Sequence, residues 1–307
     1  MSRYSVVSAM LALCLFTSMA EAQAPRAAYD HYQRASALHQ KGDLDGAIAN
    51  FTEAIRLSSS PGDARRNTDT AFNFERVKVL DPLAAQAYAS RGLMRYLKRE
   101  YEEAIEDCNE AIKINPRLSD AYNYRGLCRF AKKDLDAAMN DFNRAVATDP
   151  RNAEALNNRG NVHSEKLDFA RAIADYDQTL KLKPRLVRTL YNRGSARREM
   201  GDRDGALRDF EQALALDPRF AHGYYGRGLI RCDREELDRA ISDYNRAIEL
   251  DPRLAPAYAN RGLTLMRQNK DAQALDDLER AVALDPSLKQ DLLKRVELIK
   301  QWRGRKH

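Results

Sequence analysis

Arginine and aspartate recur along this chain at a fixed separation, and this spacing is the first feature that could carry chemistry. Six arginines are each followed, sixteen residues later, by an aspartate. The pairs are Arg91 and Asp107, Arg125 and Asp141, Arg159 and Asp175, Arg193 and Asp209, Arg227 and Asp243, and Arg261 and Asp277. A row of arginines could bind a polyanion, whereas arginine–carboxylate pairs could hold the fold together.

We favour the structural interpretation of this arginine column. An arginine beside small residues needs a partner, because an unpaired buried charge is costly. An identical residue in every repeat also cannot distinguish one position on a ligand from another. The six pairs are therefore predicted to be structural ion pairs. In an earlier unit, Arg34 is expected to meet Asn50 in the same way.

No recognisable catalytic or metal-binding motif occurs in the sequence. The five histidines are scattered without metal-ligand spacing, at His31, His39, His163, His222 and His307. The sequence contains no HExxH, GxSxG, CxxC or glycine-rich phosphate loop. We therefore expect a non-enzymatic protein without a cofactor and without a metal site.

The N-terminus has the features of a secretory signal peptide. Arg3 precedes an apolar run over residues 6–16, and Ala20 and Ala22 form a small-residue cleavage site. The run is too short to span a bilayer, which needs about 20 apolar residues. Residues 1–22 are thus predicted to direct export to the periplasm or the medium, and no other segment is expected to span a membrane.

The cysteines do not suggest a disulfide framework. Besides Cys14 in the N-terminal segment there are three, Cys108, Cys128 and Cys232. An odd number argues against a complete set of bridges, although one bridge between Cys108 and Cys128 stays open. We favour three small buried thiols.

Positive charge is concentrated at the C-terminus. The net charge is +6, and the residues from Lys294 onward contain six basic residues and one acidic residue. The rest of the chain is nearly neutral, which argues against a nucleic-acid partner because phosphate backbones require a basic surface. The basic tail could contact an acidic surface, but a solvated terminus is the simpler interpretation.

A period of 34 residues organises the chain. Prolines recur at this interval at Pro82, Pro116, Pro150, Pro184, Pro218, Pro252 and Pro286. Within each period an Arg-Gly pair is followed by a small residue twelve positions later and another after seven more. The apolar residues between them have helical spacing. Turn and cap signals separate the two halves at Gly42, Asp43, Asp134, Asp168, Gly201 and Asp202. Each period is therefore predicted to be a helical hairpin.

In residues 221–252 the recurring positions are Gly228, Ala240, Tyr244, Ala247 and Pro252. This pattern resembles the tetratricopeptide repeat. The resemblance covers residues 83–286 in six consecutive periods, with arginine in a column where the family usually has a large apolar residue. It implies an all-α solenoid of helix-turn-helix repeats that forms a right-handed superhelix closed by a C-terminal capping helix.

The same pattern sets the expected boundaries. Residues 1–22 are the signal peptide, 23–62 a first hairpin, 63–82 a loop with a degenerate half repeat, 83–286 six repeats, and 287–307 the capping helix with a basic tail. Residues 63–82 could instead be a hinge or a loop near the groove. We expect Trp302 to pack at the cap.

The resemblance implies that a ligand lies along a concave groove formed by the first helix of each repeat. The residues expected to face it are Leu93, Tyr96, Leu97, Asn123, Leu127, Phe130, Asn157, Asn161, Tyr191, Arg198, His222, Tyr225, Leu229, Asp233, Leu263 and Met266. Exposed apolar patches of this kind mark contact sites. The alternative is that these side chains pack against neighbouring repeats.

These observations predict an exported bacterial protein that acts as a non-catalytic scaffold for protein–protein interaction. It would bind a peptide or a partner protein along the groove. Two alternatives are an accessory or targeting subunit of an envelope enzyme complex and, less favoured, a helical-repeat nucleic-acid binder.

Overall fold

The computed structural model describes residues 26–58 and 82–304. Within them the chain forms fifteen α-helices, one short 3-10 helix and no β-strand. The helices are α1 Arg26–Lys41, α2 Leu44–Ser58, α3 Pro82–Leu97, α4 Tyr101–Ile114, α5 Ser119–Ala131, α6 Leu135–Thr148, α7 Ala153–Glu165, α8 Phe169–Leu182, α9 Val187–Glu199, α10 Arg203–Leu216, α11 Ala221–Asp233, α12 Leu237–Leu250, α13 Ala255–Arg267, α14 Asp271–Leu284, the 3-10 helix Pro286–Leu288, and α15 Lys289–Gly304. The predicted all-α repeat architecture is confirmed. The predicted signal peptide, nearly all of the predicted half repeat, and residues 305–307 lie outside the described residues.

The chain divides into two compact units, Met1–Val162 and His163–His307. In the first unit α1 pairs with α2, α3 with α4, and α5 with α6, and each second helix packs on the next first helix. The second unit repeats this arrangement from α8 to α14, with α15 lying against α13. Most of these contacts join helices that are neighbours in sequence, as a stack of hairpins requires.

The turn between the two helices of each hairpin contains one residue with positive φ. Glycine occupies this position twice, with φ of 83° at both Gly42 and Gly201. Elsewhere a residue with a side chain adopts the left-handed conformation, at Arg99, Lys133, Leu167, Glu235 and Asn269, with φ between 60° and 67°. The backbone geometry is therefore kept where glycine is missing, at a steric cost.

Aspartate side chains cap several of the second helices, as the sequence indicated. Asp134, Asp168 and Asp202 accept hydrogen bonds from the backbone N–H three residues later, and Asp43 does the same for Gly46. These bonds satisfy N–H groups that have no partner inside the helix. They fix where α2, α6, α8 and α10 begin.

Small residues allow the helices of one hairpin to approach closely. Ala138 and Ala145 of α6 are fully buried, as are the corresponding residues in the other repeats. Gly126 of α5 lies against the ring of Phe142, and Gly228 of α11 lies in the same way against Tyr244. The recurring glycine, alanine and aromatic residues therefore pack the two helices of each hairpin against each other.

Helices α2 and α3 pack directly on each other although residues 59–81 lie between them in sequence. Leu83, Ala87 and Met94 of α3 join one apolar cluster with Phe51 and Ile55 of α2. Consecutive repeats elsewhere are in contact in the same manner. The first hairpin therefore continues the stack of unit 1.

Helix α15 covers the last repeat. Leu292 is buried, and Val296 and Ile299 pack beside it against an apolar cluster that includes Leu263 and Met266. Arg303 adds hydrogen bonds to Asp271 at 2.7 and 3.0 Å. Trp302, which we expected to pack here, is 41% exposed.

Candidate functional site

The recurring aspartate lies between two arginines of the preceding helix. Arg91 contacts Asp107 with two parallel hydrogen bonds, Nε to Oδ2 at 2.9 Å and Nη2 to Oδ1 at 2.6 Å. Arg95 donates a further bond from Nη1 to Oδ2 at 2.8 Å. Asp107 is buried, so its charge is balanced by guanidinium groups rather than by water.

The same arrangement recurs in both units. Arg125 and Arg129 bind Asp141, Arg193 and Arg197 bind Asp209, and Arg227 and Arg231 bind Asp243. Asp277 is bound by one arginine, Arg261, because Leu265 occupies the position of the second arginine. Five of the six expected pairs are therefore brought together within a unit. Arg159 and Asp175 belong to different units, and their pairing stays a prediction.

Four of the five paired arginines also contact the preceding repeat. The Nη1 group of Arg125 donates to Asn109 at 2.6 Å, that of Arg193 to Asp177 at 2.6 Å, and that of Arg261 to Asn245 at 2.6 Å. For Arg91 the acceptor is Thr52 of α2, at 2.9 Å. One guanidinium thus links the two helices of its own hairpin to the hairpin before it.

The environment of these arginines favours their charged form. The guanidinium of Arg227 lies 5.4 Å from the ring centre of Tyr224, and its hydrogen bonds to Asp243 raise its pKa against the opposing effect of burial. The same causes raise the pKa of Arg261 beside Asp277. A guanidinium that bonds both to its aspartate and to the preceding repeat, as that of Arg261 does, has little capacity left for an external anion. The geometry thus supports the structural interpretation of the column in the five pairs described.

The second arginine of each site was missed in the sequence interpretation. Its signal was available, because Arg95, Arg129, Arg197 and Arg231 each follow a column arginine by four residues. That spacing places both side chains on one helix face. In α7 the corresponding residue is His163, whose Nε2 lies 4.0 Å from Asp175 and whose Nδ1 lies 3.9 Å from Asp168.

The first hairpin departs from the expected pairing. Asn50 does not pair with Arg34; its Oδ1 accepts a hydrogen bond from His31 Nδ1 at 3.0 Å. His31 precedes Arg34 by three residues and therefore lies one helical turn earlier. The shorter histidine takes over the contact with the asparagine.

We call the side of α3, α5 and α7 that carries Leu93, Tyr96, Leu97, Asn123, Leu127, Phe130, Asn157 and Asn161 the first-helix surface of unit 1. Leu97 is 45% exposed; beside it, the half-buried Leu93 packs against the cluster of α2 and α3, and the ring centre of the half-buried Tyr96 lies 5.9 Å from that of Tyr101. Leu127 and Phe130 pack against Ala138, Phe142 and Val162, so they are part of the core as well as of the surface. The open apolar part is therefore on α3.

The asparagines of this surface bond to one another. Asn158 donates from Nδ2 to Oδ1 of Asn123 at 3.0 Å, and Asn157 lies 3.5 Å from Asn158. Asn123 is only 1% exposed. Asn157 and Asn161 are half-buried. The prediction that Asn123 faces an open groove is wrong, because this side chain is enclosed beneath the neighbouring helix.

The first-helix surface of unit 2 comprises Tyr191, Arg198, His222, Tyr225, Leu229, Asp233, Leu263 and Met266 on α9, α11 and α13. Its residues pair between successive repeats. Tyr191 packs edge-on against His222, with ring centres 5.7 Å apart, and Arg198 donates to Asp233 at 3.1 Å. The Tyr225 hydroxyl accepts a hydrogen bond from Asn260 at 3.3 Å. Leu229 is half-buried.

Leu263 and Met266 do not lie on an open groove, because α15 covers most of each side chain. They are 4% and 3% exposed and belong to the cluster beneath α15. The sequence pattern predicted a capping helix but did not indicate which side of the last repeat that helix covers. Leu263 and Met266 were therefore expected to face the groove. The expectation is thus corrected for these two residues: they form the contact with α15.

Three cysteines lie among the described residues. Cys108, Cys128 and Cys232 are free thiols. No group of three or more potential metal ligands is found in residues 26–58 and 82–304. None of the helices described has the length and apolar character needed to cross a membrane.

The stacked hairpins and their first-helix surfaces define a helical-repeat protein. Models of tetratricopeptide repeats match residues 31–61, 85–118, 126–166, 191–256 and 255–288. The chain belongs to the tetratricopeptide repeat family. No curated protein matches the sequence.

Solved structures resemble the chain at low sequence identity. A tetratricopeptide repeat protein from Parabacteroides merdae is 20% identical, with a TM-score of 0.61 over 89% of this chain and 100% of its own. The APC/C hetero-tetramer Cut9–Hcn1 gives 16% identity and a TM-score of 0.62, over 85% of this chain and 54% of that one. PilF from Pseudomonas aeruginosa gives 22% and 0.56, over 73% and 97%. At these identities the likeness establishes the fold alone.

Proposed function

We propose that this protein is a non-catalytic scaffold that binds a partner protein or an extended peptide along its first-helix surfaces. The observation that carries the proposal is the exposed Leu97 on α3, next to the half-buried Leu93 and Tyr96. Leu97 lies outside the apolar cluster that Leu93 joins, and the recurring glycine and alanine columns close the hairpin without it. An exposed apolar group on a helix that faces outward favours a contact site.

The proposal places the protein in the bacterial cell envelope. Its support is the sequence of residues 1–22, which has the charged start, the apolar run and the small-residue cleavage site of a signal peptide. Cell fractionation and N-terminal sequencing test this part. A mature chain that begins near Gln23 in the envelope fraction would support it, and an intact chain in the cytosol would contradict it.

The proposal does not include nucleic acid as a partner. The arginines that could form a basic ladder are engaged by carboxylates in the five pairs within the units. A phosphate would have to displace a buried aspartate to reach them. Retention on an anionic column that falls steeply with salt would contradict this part of the proposal.

Site-specific photo-crosslinking in the native host tests the binding surface. A photoreactive residue at position 97 is expected to yield a discrete crosslinked product whose partner is identified by mass spectrometry. Position 275 is the matched control, because Leu275 is also an exposed leucine, at 56%, but lies on the second helix α14. The same products from both positions, or none from position 97, would contradict the proposal.

A second variant links the contact to affinity. Leu97→Glu places a charge on the proposed contact, and the identified partner should bind at least about tenfold more weakly. Leu275→Glu should leave binding unchanged. Since both leucines are exposed, neither substitution removes core packing, and circular dichroism verifies that the two variants stay folded.

A further inference from the structure

A cavity of about 270 Å³ lies in unit 2 beneath α15. Leu263 of α13 and Leu298 and Ile299 of α15 form its apolar wall, and Cys232 of α11 lines it from the next repeat. Arg267 and Arg295 also line it. The cavity is smaller than the roughly 300–1,000 Å³ of small-molecule sites, and suits a single large side chain better than a whole ligand.

The charged side chains that line the cavity are both cationic, and carboxylates lie only behind them. Two guanidinium groups line it and no carboxylate does. Arg267 is engaged, because its Nη2 donates to Glu235 at 2.5 Å and its Nη1 contacts Cys232 Sγ at 3.0 Å. It supplies positive potential but little free hydrogen-bonding capacity.

Arg295 differs from the column arginines of the unit. Its Nη2 donates to the neutral amide oxygen of Asn260 at 3.3 Å, and the carboxylate of Asp291 lies 3.7 Å from Nη1. Neither contact has the parallel two-bond geometry that holds Arg261 to Asp277. A guanidinium in this setting can still form such a pair with an incoming carboxylate.

We propose that this cavity anchors an acidic segment of a partner protein, with one large aliphatic or aromatic side chain seated against Leu263, Leu298 and Ile299. A glutamate or aspartate beside that side chain would bind Arg295. The inference rests on the proposed scaffold function and adds to it the location of an anchor and the chemistry of the partner. Charge complementarity selects an acidic segment, because the lining carries two cations and no anion.

Residues 305–307 do not fit this chemistry. The residues after Gly304 are Arg305, Lys306 and His307, which would bring cations to Arg295. The exposed side of α15 also carries Lys294 and Lys300. The proposed occupant is therefore a segment of another protein with the opposite charge.

Three fluorescein-labelled peptides of twelve residues with blocked termini are the probes. The first carries one leucine flanked on both sides by glutamates in a glycine–serine background. The second has lysine in place of glutamate, and the third has alanine in place of leucine. In fluorescence anisotropy with the full chain, the first peptide should bind saturably and at least about tenfold tighter than the other two.

Paired variants localise the binding. Arg295→Glu should weaken the first peptide about tenfold, whereas Lys294→Glu, with the same charge change one residue away, should weaken it less than about threefold. Leu298→Ala should weaken it several-fold, whereas Leu293→Ala should not. Leu293 and Leu298 are both exposed on α15, but only Leu298 lines the cavity.

Alkylation of Cys232 gives an independent measure of occupancy. Saturating amounts of the first peptide should slow the reaction of this thiol with iodoacetamide, since its side chain lines the cavity. The lysine peptide should not slow it. Peptide binding that leaves Cys232 unprotected would place the peptide elsewhere and overturn the inference.

Other outcomes would overturn the proposed anchor without deciding whether the protein is a scaffold. Equal weakening by Arg295→Glu and Lys294→Glu would indicate long-range attraction only and would overturn the anchor. Absence of saturable binding by the glutamate peptide, or equal binding of all three peptides, would also overturn it. The scaffold function is tested separately at Leu97 in unit 1, so the failure of one does not decide the other.

Discussion

Gly126 lies so close to Phe142 that a β-carbon on the glycine would come within 2.7 Å of the ring atom Cε1. The ring is fully buried and cannot move aside without disturbing the hairpin. This contact explains why glycine recurs in the first helix, where its helix propensity is poor.

We therefore expect Gly126→Ala to destabilise the protein by about 1–2 kcal/mol. Overpacking costs about 1–3 kcal/mol, and the better helix propensity of alanine returns up to about 1 kcal/mol. Urea unfolding of the variant measures the change. As a control, Phe142→Leu should make room for the methyl group, so the double variant should be more stable than the sum of the two single effects predicts. Additive effects would contradict a steric cause.

At the turn residue with positive φ, a substitution by glycine is expected to raise the stability of the protein. Leu167 is exposed and has φ of 60°, where glycine stands in the equivalent turn at Gly201. Leu167→Gly should stabilise the protein by about 0.5–1 kcal/mol, because it removes the steric cost of a side chain at positive φ. Gly201→Ala should destabilise it by about 1 kcal/mol. Thermal unfolding followed by circular dichroism checks both, and a loss of stability for Leu167→Gly would contradict the argument.

A double-mutant cycle measures the strength of the ion pair between Arg193 and Asp209. Nε donates to Oδ2 at 2.9 Å and Nη2 to Oδ1 at 2.5 Å, and the aspartate is buried. Asp209→Ala should cost about 3–5 kcal/mol because it removes the buried carboxylate that two guanidinium groups share. The coupling energy between the two residues should exceed about 1 kcal/mol.

The solvent-exposed pair of Lys113 and Glu110 provides the control for that cycle. Its side chains are 3.3 Å apart on the surface of α4. Their coupling should be below about 0.5 kcal/mol, as is typical of exposed pairs one turn apart. A coupling at Arg193 and Asp209 no larger than this would show that the buried pair does not fix the hairpin.

The repeat period made most of the fold predictable from the sequence. Helix pairs, the aspartate caps and the family follow from side-chain types at fixed spacing, because each hairpin contacts mainly its sequence neighbours. The positions of Asp134 and Asp202 as caps needed no knowledge of distant contacts. An aspartate just before a helix caps it by a local hydrogen bond, so these positions can be predicted from the sequence alone.

What the sequence did not reveal depends on contacts between elements. The burial of Leu263 and Met266 follows from where α15 lies, and the pattern of α15 alone does not specify its neighbour. The enclosure of Asn123 follows from its bond to Asn158 in the next repeat. The cavity at Arg295 arises from three helices that are separate in sequence. The features that the repeat pattern does not predict are therefore those that depend on contacts between helices.

The three described thiols should differ sharply in reactivity. Burial raises the pKa of Cys128 to about 12, and burial also raises the pKa of Cys108 well above its usual range. Because the thiolate is the reactive form, both should stay unreactive in the folded protein from pH 7 to pH 9. Cys232 is partly exposed and should be alkylated first. Site-resolved mass spectrometry after timed treatment with iodoacetamide measures the three rates. In urea all three sites should react at similar rates, and rapid modification of Cys108 or Cys128 without urea would show that α4 and α5 open more readily than their packing indicates.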